Sequence, residues 1–423
     1  MLKRAKSDNR IQALRTASEA RTDGSRAMSA ANLSSACFRF TKAASQLYGR
    51  QADQYCDYLF RTDPLADAVV AAIAELPGSQ GHRMLDKALN QGIDAVTDAP
   101  LALRDLFAQL EEVPFWVDWK QLDLGGTVLQ RSGLFGVLTV GLASLPLSYS
   151  SPAGNKPLVF SGQLIKRAAR RLGETARFVY LTSQPGALQR FGDGFKATVK
   201  VRLIHAQVRR LLKQSGNWDA SQWGEPINQA YMAATNLTLS VVLLDGMRSF
   251  GLRCTQSERE ALMQLWRYSG YLSGVAPNLL CATEIEARRL LEMVLEFEGP
   301  PDGDSRALIN ALMLVGQATG FHEADWLRQF CYGISYALIG EERAKSLGYP
   351  STWRRWIVPA LRPLISAVDL VTSLVPGGRG LVDKLGVRGW ELAIERTLAG
   401  PPPDFRMMER LAVQADGRPF HVM

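Results

Sequence analysis

Apolar residues in this chain recur at helical spacing, and no stretch sustains the period-two alternation of a half-buried strand. That regularity restricts the fold to the all-α class. It is clearest in residues 161–213, which read as two helices joined by a loop rich in Gly, Pro and Asp. On the second helix Val201, Ile204, Val208, Leu211 and Leu212 form one apolar stripe, and His205 lies within it. Arg202, Arg209 and Lys213 run along one flank of that stripe. An imidazole on an inward face beside cations suits a buried metal, or a haem with carboxylate side arms. It also suits a hydrogen-bonded core histidine, and spacing alone favours that second reading.

Charge is the next constraint. The chain carries +8 overall, yet residues 161–213 alone hold 12 Lys and Arg against 2 Asp and Glu. Residues 1–50 add 10 Lys and Arg against 3 Asp and Glu, so everything else is acidic. The basicity is local, and no zinc-finger spacing, RNP motif or helix-turn-helix pattern accompanies it. Nucleic acid is not expected as a partner. Five widely spaced cysteines without a CxxC exclude a zinc ribbon and covalent c-type haem attachment. Reduced thiols, with no apolar signal region in the basic first thirty residues, lead to the expectation of a cytoplasmic protein.

Read in order, the chain divides into a flexible basic arm (1–32), a helical extension (33–109), a core (110–345), and C-terminal helices with a tail (346–423). Together they make one large helical domain with trimmed ends. Asp63-Pro64 marks a helix start. PFWVDW (114–119) is an aromatic turn that should clamp the next segment. The uncharged run Ser132–Leu147 is short for a bilayer and is expected to be a buried core helix. Residues 226–250 read as one long apolar helix ending at Gly251, and Ser257 with Glu260 as a capping box. Trp353–Val375 is apolar and should kink at Pro359 and Pro363.

There are four histidines, His82, His205, His322 and His421, and neither a GxxxxGK[ST] phosphate loop nor a GxSxG elbow. On the first helix of the central pair, Arg171 and Thr175 lie one turn apart with Phe178 continuing the row and Glu174 alongside. A cation, a hydroxyl and a carboxyl on one face can polarise a bound small molecule and handle protons. The plain alternative is a solvated ion pair between Arg171 and Glu174.

The run RRLGETARFVYLTSQPGALQRFGDGFKATVKVRLIHAQVRR resembles the helix–loop–helix of latex-clearing proteins and the related MpaB-type oxygenases. The likeness continues through WGEPINQAYMAATNLTLSVVLLDGMRSFG and EREALMQLWRYSGYLSGV, covering roughly residues 110–345. The resemblance implies an all-helical fold with a globin-like haem pocket between helices and haem b bound non-covalently. It implies His205 as the iron ligand, with Arg171 and Thr175 on the opposite side. The activity it implies is an oxygenase that uses dioxygen to cleave an isoprenoid or lipid-like C=C bond into carbonyl products. Haem would also account for the basic segment, because Arg202, Arg209, Lys200 or Lys196 lie within reach of its propionates.

The family pattern places a Lys immediately before the distal Thr, where this chain has Glu174, and an acid near residues 150–156, where SSPAGNK has none. Glu174 is accordingly expected to supply the proton-handling carboxyl from a shifted position. The alternatives are a haem peroxidase, or a non-catalytic haem- or lipid-binding protein whose basic arm and 353–375 segment rest on a membrane surface.

Overall fold

Short polar side chains fix where the helices begin. Asp63 accepts from the Ala66 amide with Pro64 in the first turn, Asn228 accepts from Tyr231, and Thr283 from Glu286. In this computed structural model the described residues are 46–160, 164–314 and 325–398. The basic arm, Cys37, His322, His421 and the tail from Pro401 lie outside them. Every regular element among the described residues is a helix.

The helices that position the site are α1 (Arg50–Tyr58), α2 (Pro64–Glu75), α3 (Leu101–Glu111), α4 (Trp119–Arg131), α5 (Gly133–Thr139), α6 (Leu164–Thr182) and α7 (Asp193–Gln214). They are followed by α8 (Gln229–Leu239), α9 (Val241–Phe250), α10 (Gln256–Leu272), α11 (Glu284–Phe297), α12 (Gly303–Met313), α13 (Asp325–Ile339), α14 (Ile357–Leu374) and α15 (Gly378–Leu398).

Two apolar clusters form the interior. One gathers α1, α8, α9 and α11–α13, and the other gathers α2–α4, α6, α7, α10 and α15. Helix α6 sits at the seam between them, with Leu172 against the first cluster and Ala176 and Val179 inside the second. The aromatic turn clamps α4 onto α10 as expected. Trp116 meets Tyr268 edge-on at 6.1 Å, and the Arg267 guanidinium lies 4.0 Å over the Trp116 ring. The close approach of these helices needs Gly125, where a Cβ would lie 2.3 Å from the Ala261 carbonyl oxygen.

Three sequence expectations are corrected. The apolar helix of residues 226–250 is broken at Ser240 (φ −106°, ψ −86°), whose hydroxyl turns back onto the Asn236 carbonyl at 2.9 Å. The capping box begins two residues early, at Thr255 with Glu258. The run Ser132–Leu147 is interior, but it carries a wholly buried π-helical stretch, Val140–Ser144, rather than a regular α-helix. Helices α4 and α5 meet at a sharp corner, since the paths of Trp119–Arg131 and Gly133–Tyr149 differ by 89°. The described cysteines, Cys56, Cys254, Cys281 and Cys331, are free thiols. Burial pushes the pKa of each up, to between about 11 and about 12, so they stay protonated.

One attachment fixes α7. The Arg202 guanidinium grips Asp63 with Nε at 2.6 Å from Oδ2 and Nη2 at 3.0 Å from Oδ1, and both side chains are almost fully buried. Gln109 and the Leu272 carbonyl take its remaining nitrogen. Gly274 (φ +81°) passes directly over the pair, where a Cβ would come within 2.2 Å of Asp63 Oδ2. Removing one partner leaves a buried charge uncompensated. Asp63→Asn is therefore expected to cost about 3–5 kcal/mol of stability, read from urea unfolding.

Candidate active site

Residues 183–192 reverse the chain so that α6 and α7 pack against each other. Asp123 of α4 steadies that turn by accepting from the Gly186 amide at 2.8 Å. On α7 the face away from the site is fully buried through Val199, Leu203 and Ala206. Val201, Ile204, His205 and Val208 keep part of their surface accessible. His205 is therefore on the less covered face of its helix.

Its Nδ1 is buried with no hydrogen-bond partner. Burial pushes the imidazole pKa down to about 4, with Arg209 adding to the shift and Asp63 opposing it. The ring is neutral at physiological pH and has a lone pair to give. A core histidine with an unsatisfied nitrogen costs roughly 1–3 kcal/mol, so packing alone gives no reason for the residue.

The two flanking arginines have another task than the one the sequence suggested. Arg202 is committed to Asp63, as above. Arg209 binds Asp67 through Nη1, the Pro226 carbonyl at 3.1 Å and the Ile227 carbonyl at 2.9 Å. Their donors face α2 and the start of α8, and are not presented to a cofactor's carboxylates. Lys200 reaches Asp86 at 3.5 Å, and Lys213 pairs with Glu225 at 2.5 Å.

Across from α7, Arg171, Thr175 and Phe178 are half-buried along one row of α6. Phe178 lies 6.5 Å from the Trp266 ring. The Arg171 charge acts on buried Tyr149, opposing the rise that burial imposes on the phenol. Glu174 does not pair with Arg171. It takes Arg170 Nε at 2.8 Å, one turn back, in a largely solvated pair of little energetic weight.

The sequence reading passed over one buried carboxyl. Glu298, just past α11, lies where Ser151 and Tyr231 offset part of the effect of its burial. Burial outweighs their influence and raises its pKa to about 7. Ser151 belongs to the same SSPAGNK stretch in which an acid was missed. Extending the helical period by one residue would have flagged Glu298, since Val294 and Phe297 of the same face are buried. The partners Asp63, Asp67 and Gln109 were also missed. No local pattern links them to arginines more than ninety residues away.

Comparison with known proteins decides the relationship. Residues 129–370 match the family described as ER-bound oxygenase mpaB/B'/Rubber oxygenase, catalytic domain. The chain belongs to this family. Rubber oxygenase of Streptomyces sp. (strain K30) is 27% identical over 252 residues, 57% of this chain and 61% of that protein. The matched region thus spans less than two thirds of that relative's length. Latex clearing protein in its closed state superposes with a TM-score of 0.65 at 23% identity, over 79% of this chain and 91% of the other, a likeness of fold. The family's helical core here begins at the end of α4 and continues into α14, so it includes both helices of the α6–α7 pair.

Glu298 gives the site a pH dependence with a defined sign. Its folded pKa lies above the ordinary carboxylate value of 4.5. Stability from this group is thus complete below the ordinary value and is lost as pH rises towards 7. Glu298→Gln should remove that loss. Urea midpoints of the variant and wild type should diverge between pH 5 and pH 8, by up to roughly 3 kcal/mol at 1.36 kcal/mol per pKa unit.

Proposed function

We propose that this protein is a haem b-dependent oxygenase acting on the C=C bond of an apolar isoprenoid or lipid-like substrate. The observation that carries the reading is His205. It is a neutral, hydrogen-bond-orphaned imidazole on the accessible face of α7, next to a helix bearing Arg171 and Thr175. Among the described residues no three His, Cys, Asp or Glu side chains converge as a metal cage. A bare ion would find one ligand there, whereas a haem brings four nitrogens of its own and would need only a single base from the protein, which His205 would supply. The residues present fit that group.

His205 would hold the iron through Nε2, because Nδ1 is enclosed. When bound, haem supplies an iron centre at which dioxygen can be activated. Arg171 and Thr175 offer a fixed positive charge and a hydroxyl donor to oxygen atoms that gain negative charge. Glu298, neither fully ionised nor fully neutral near pH 7, would be able to take up or release a proton. The π-helical stretch lies against Leu172 of α6 at Gly141, and the apolar cluster they join would exclude water. One dioxygen and one C=C bond yield two carbonyl groups, so the net reaction balances with no external reductant. The relative's name specifies rubber, a polyisoprene, and the class carried over here is the apolar alkene.

Absorption spectroscopy tests the cofactor. The wild-type chain supplied with haem should show a Soret band that His205→Ala lacks, and no band in the wild type would sink the reading. Oxygen uptake tests the reaction. With isoprenoid oligomers or unsaturated lipids the haem-loaded protein should consume dioxygen, and Arg171→Ala should slow turnover about 10²-fold or more. Haem binding without oxygen uptake would leave a non-catalytic haem protein. Peroxide-driven dye oxidation without uptake would make it a peroxidase.

A further inference from the structure

Helix α14 is built inside out. Only Val358 and Asp369 of its eighteen residues are buried. Polar groups hold it to the body: Ser366 donates to the Gly251 carbonyl at 2.8 Å, and Asp369 accepts from the Arg253 amide at 3.2 Å and pairs with Arg379 at 3.5 Å. The side turned away from the body is apolar. Leu364, Val368, Val371 and Leu374 are 63%, 56%, 57% and 74% exposed. Leu381 and Leu385 of α15 continue the same outward surface, while Trp390 and Ile394 anchor that helix inside.

Composition alone does not distinguish this segment from the core. Trp353–Leu374 and Gln229–Phe250 both have the length and hydropathy of a membrane span. The second is 72% buried in protein, however, and the first only 11%. A predominantly apolar segment of twenty-two residues, about 33 Å of helix, therefore lacks a protein cover. Contacts with α9, α13 and α15, together with the hydrogen bonds above, hold α14 flat against the domain. Its orientation is that of a helix lying in an interface.

Charge selects what covers it. Residues 353–398 carry seven Lys and Arg against four Asp and Glu, and Arg362 and Lys384 are exposed on the two helices. A second copy docked through the same face would bring like charges together. Anionic lipid headgroups complement them. Trp353 and Trp356, 70% and 62% exposed at the start of the segment, have the amphipathic rings that settle at headgroup level. We propose that the outer side of α14 and α15 is a membrane-docking surface, with the protein lying on an anionic bilayer and this face at the acyl boundary.

Flotation of the full chain with vesicles tests this. The wild type should float with phosphatidylcholine vesicles containing phosphatidylglycerol, float less with phosphatidylcholine alone, and be released by alkaline carbonate. The triple variant Leu364→Gln, Val368→Gln, Val371→Gln changes no charge and touches no buried contact. It should bind the mixed vesicles about tenfold more weakly, with unchanged helicity by circular dichroism. The proposal is overturned if the variant floats as well as the wild type or if neither floats. It is also overturned if the wild type resists carbonate as a spanning helix does, or forms a dimer in solution that the variant abolishes.

Discussion

Two aspartates on one helix hold the histidine helix in place. Asp63 caps α2 through the Ala66 amide and at the same time receives two nitrogens of Arg202. Four residues on, Asp67 receives Arg209, whose other nitrogens reach the carbonyls that lead into α8. Taking these charges out of water is costly, and the geometry offsets the cost only because nearly every donor and acceptor is matched. His205 lies between the two arginines, so its direction follows from a clamp that touches no substrate. Arg209 also contributes to keeping the imidazole neutral. One cation thus serves both the packing of α7 and the neutrality of its histidine.

The acid of the site shows how a role and a position can separate. The SSPAGNK stretch has no carboxyl of its own, and Glu174 faces outward with Arg170. Glu298, from the end of α11, supplies a buried carboxyl whose pKa Ser151 of that stretch draws down and burial pushes up. The surroundings favour its protonated form, since burial penalises the anion more than Ser151 and Tyr231 offset. The same stretch carries Asn155, which binds the Tyr149 carbonyl and Ser305. The stretch therefore connects the neighbour of Arg171 with the surroundings of Glu298.

Helices α8–α9 and α14 differ in what covers them. Both are apolar enough to leave water. The first becomes the shared wall of two apolar clusters, and the second turns Ser366 and Asp369 inward and most of its leucines and valines out. A helix of that polarity lowers its free energy against a non-aqueous phase, and an apolar alkene would be found in the same phase.

The sequence by itself determined the helical class, the start of α2 at Asp63-Pro64, the aromatic turn at 114–119, and the placing of His205, Arg171 and Thr175 on two helical faces. Those features are local, written in spacings of three and four residues or in short capping patterns. The break at Ser240 and the π-helical stretch depend on neighbours brought by packing, so local propensity could not reveal them. The partners of Arg202 and Arg209 lie 139 and 142 residues away. A cation's sequence neighbours say nothing of which carboxylate will reach it. Only the tertiary structure decided that these arginines brace α7, that Glu298 rather than Glu174 is the enclosed acid, and that the apolar face of α14 points outward. In each case the deciding quantity is the balance of burial against charge, which exists only once distant segments meet.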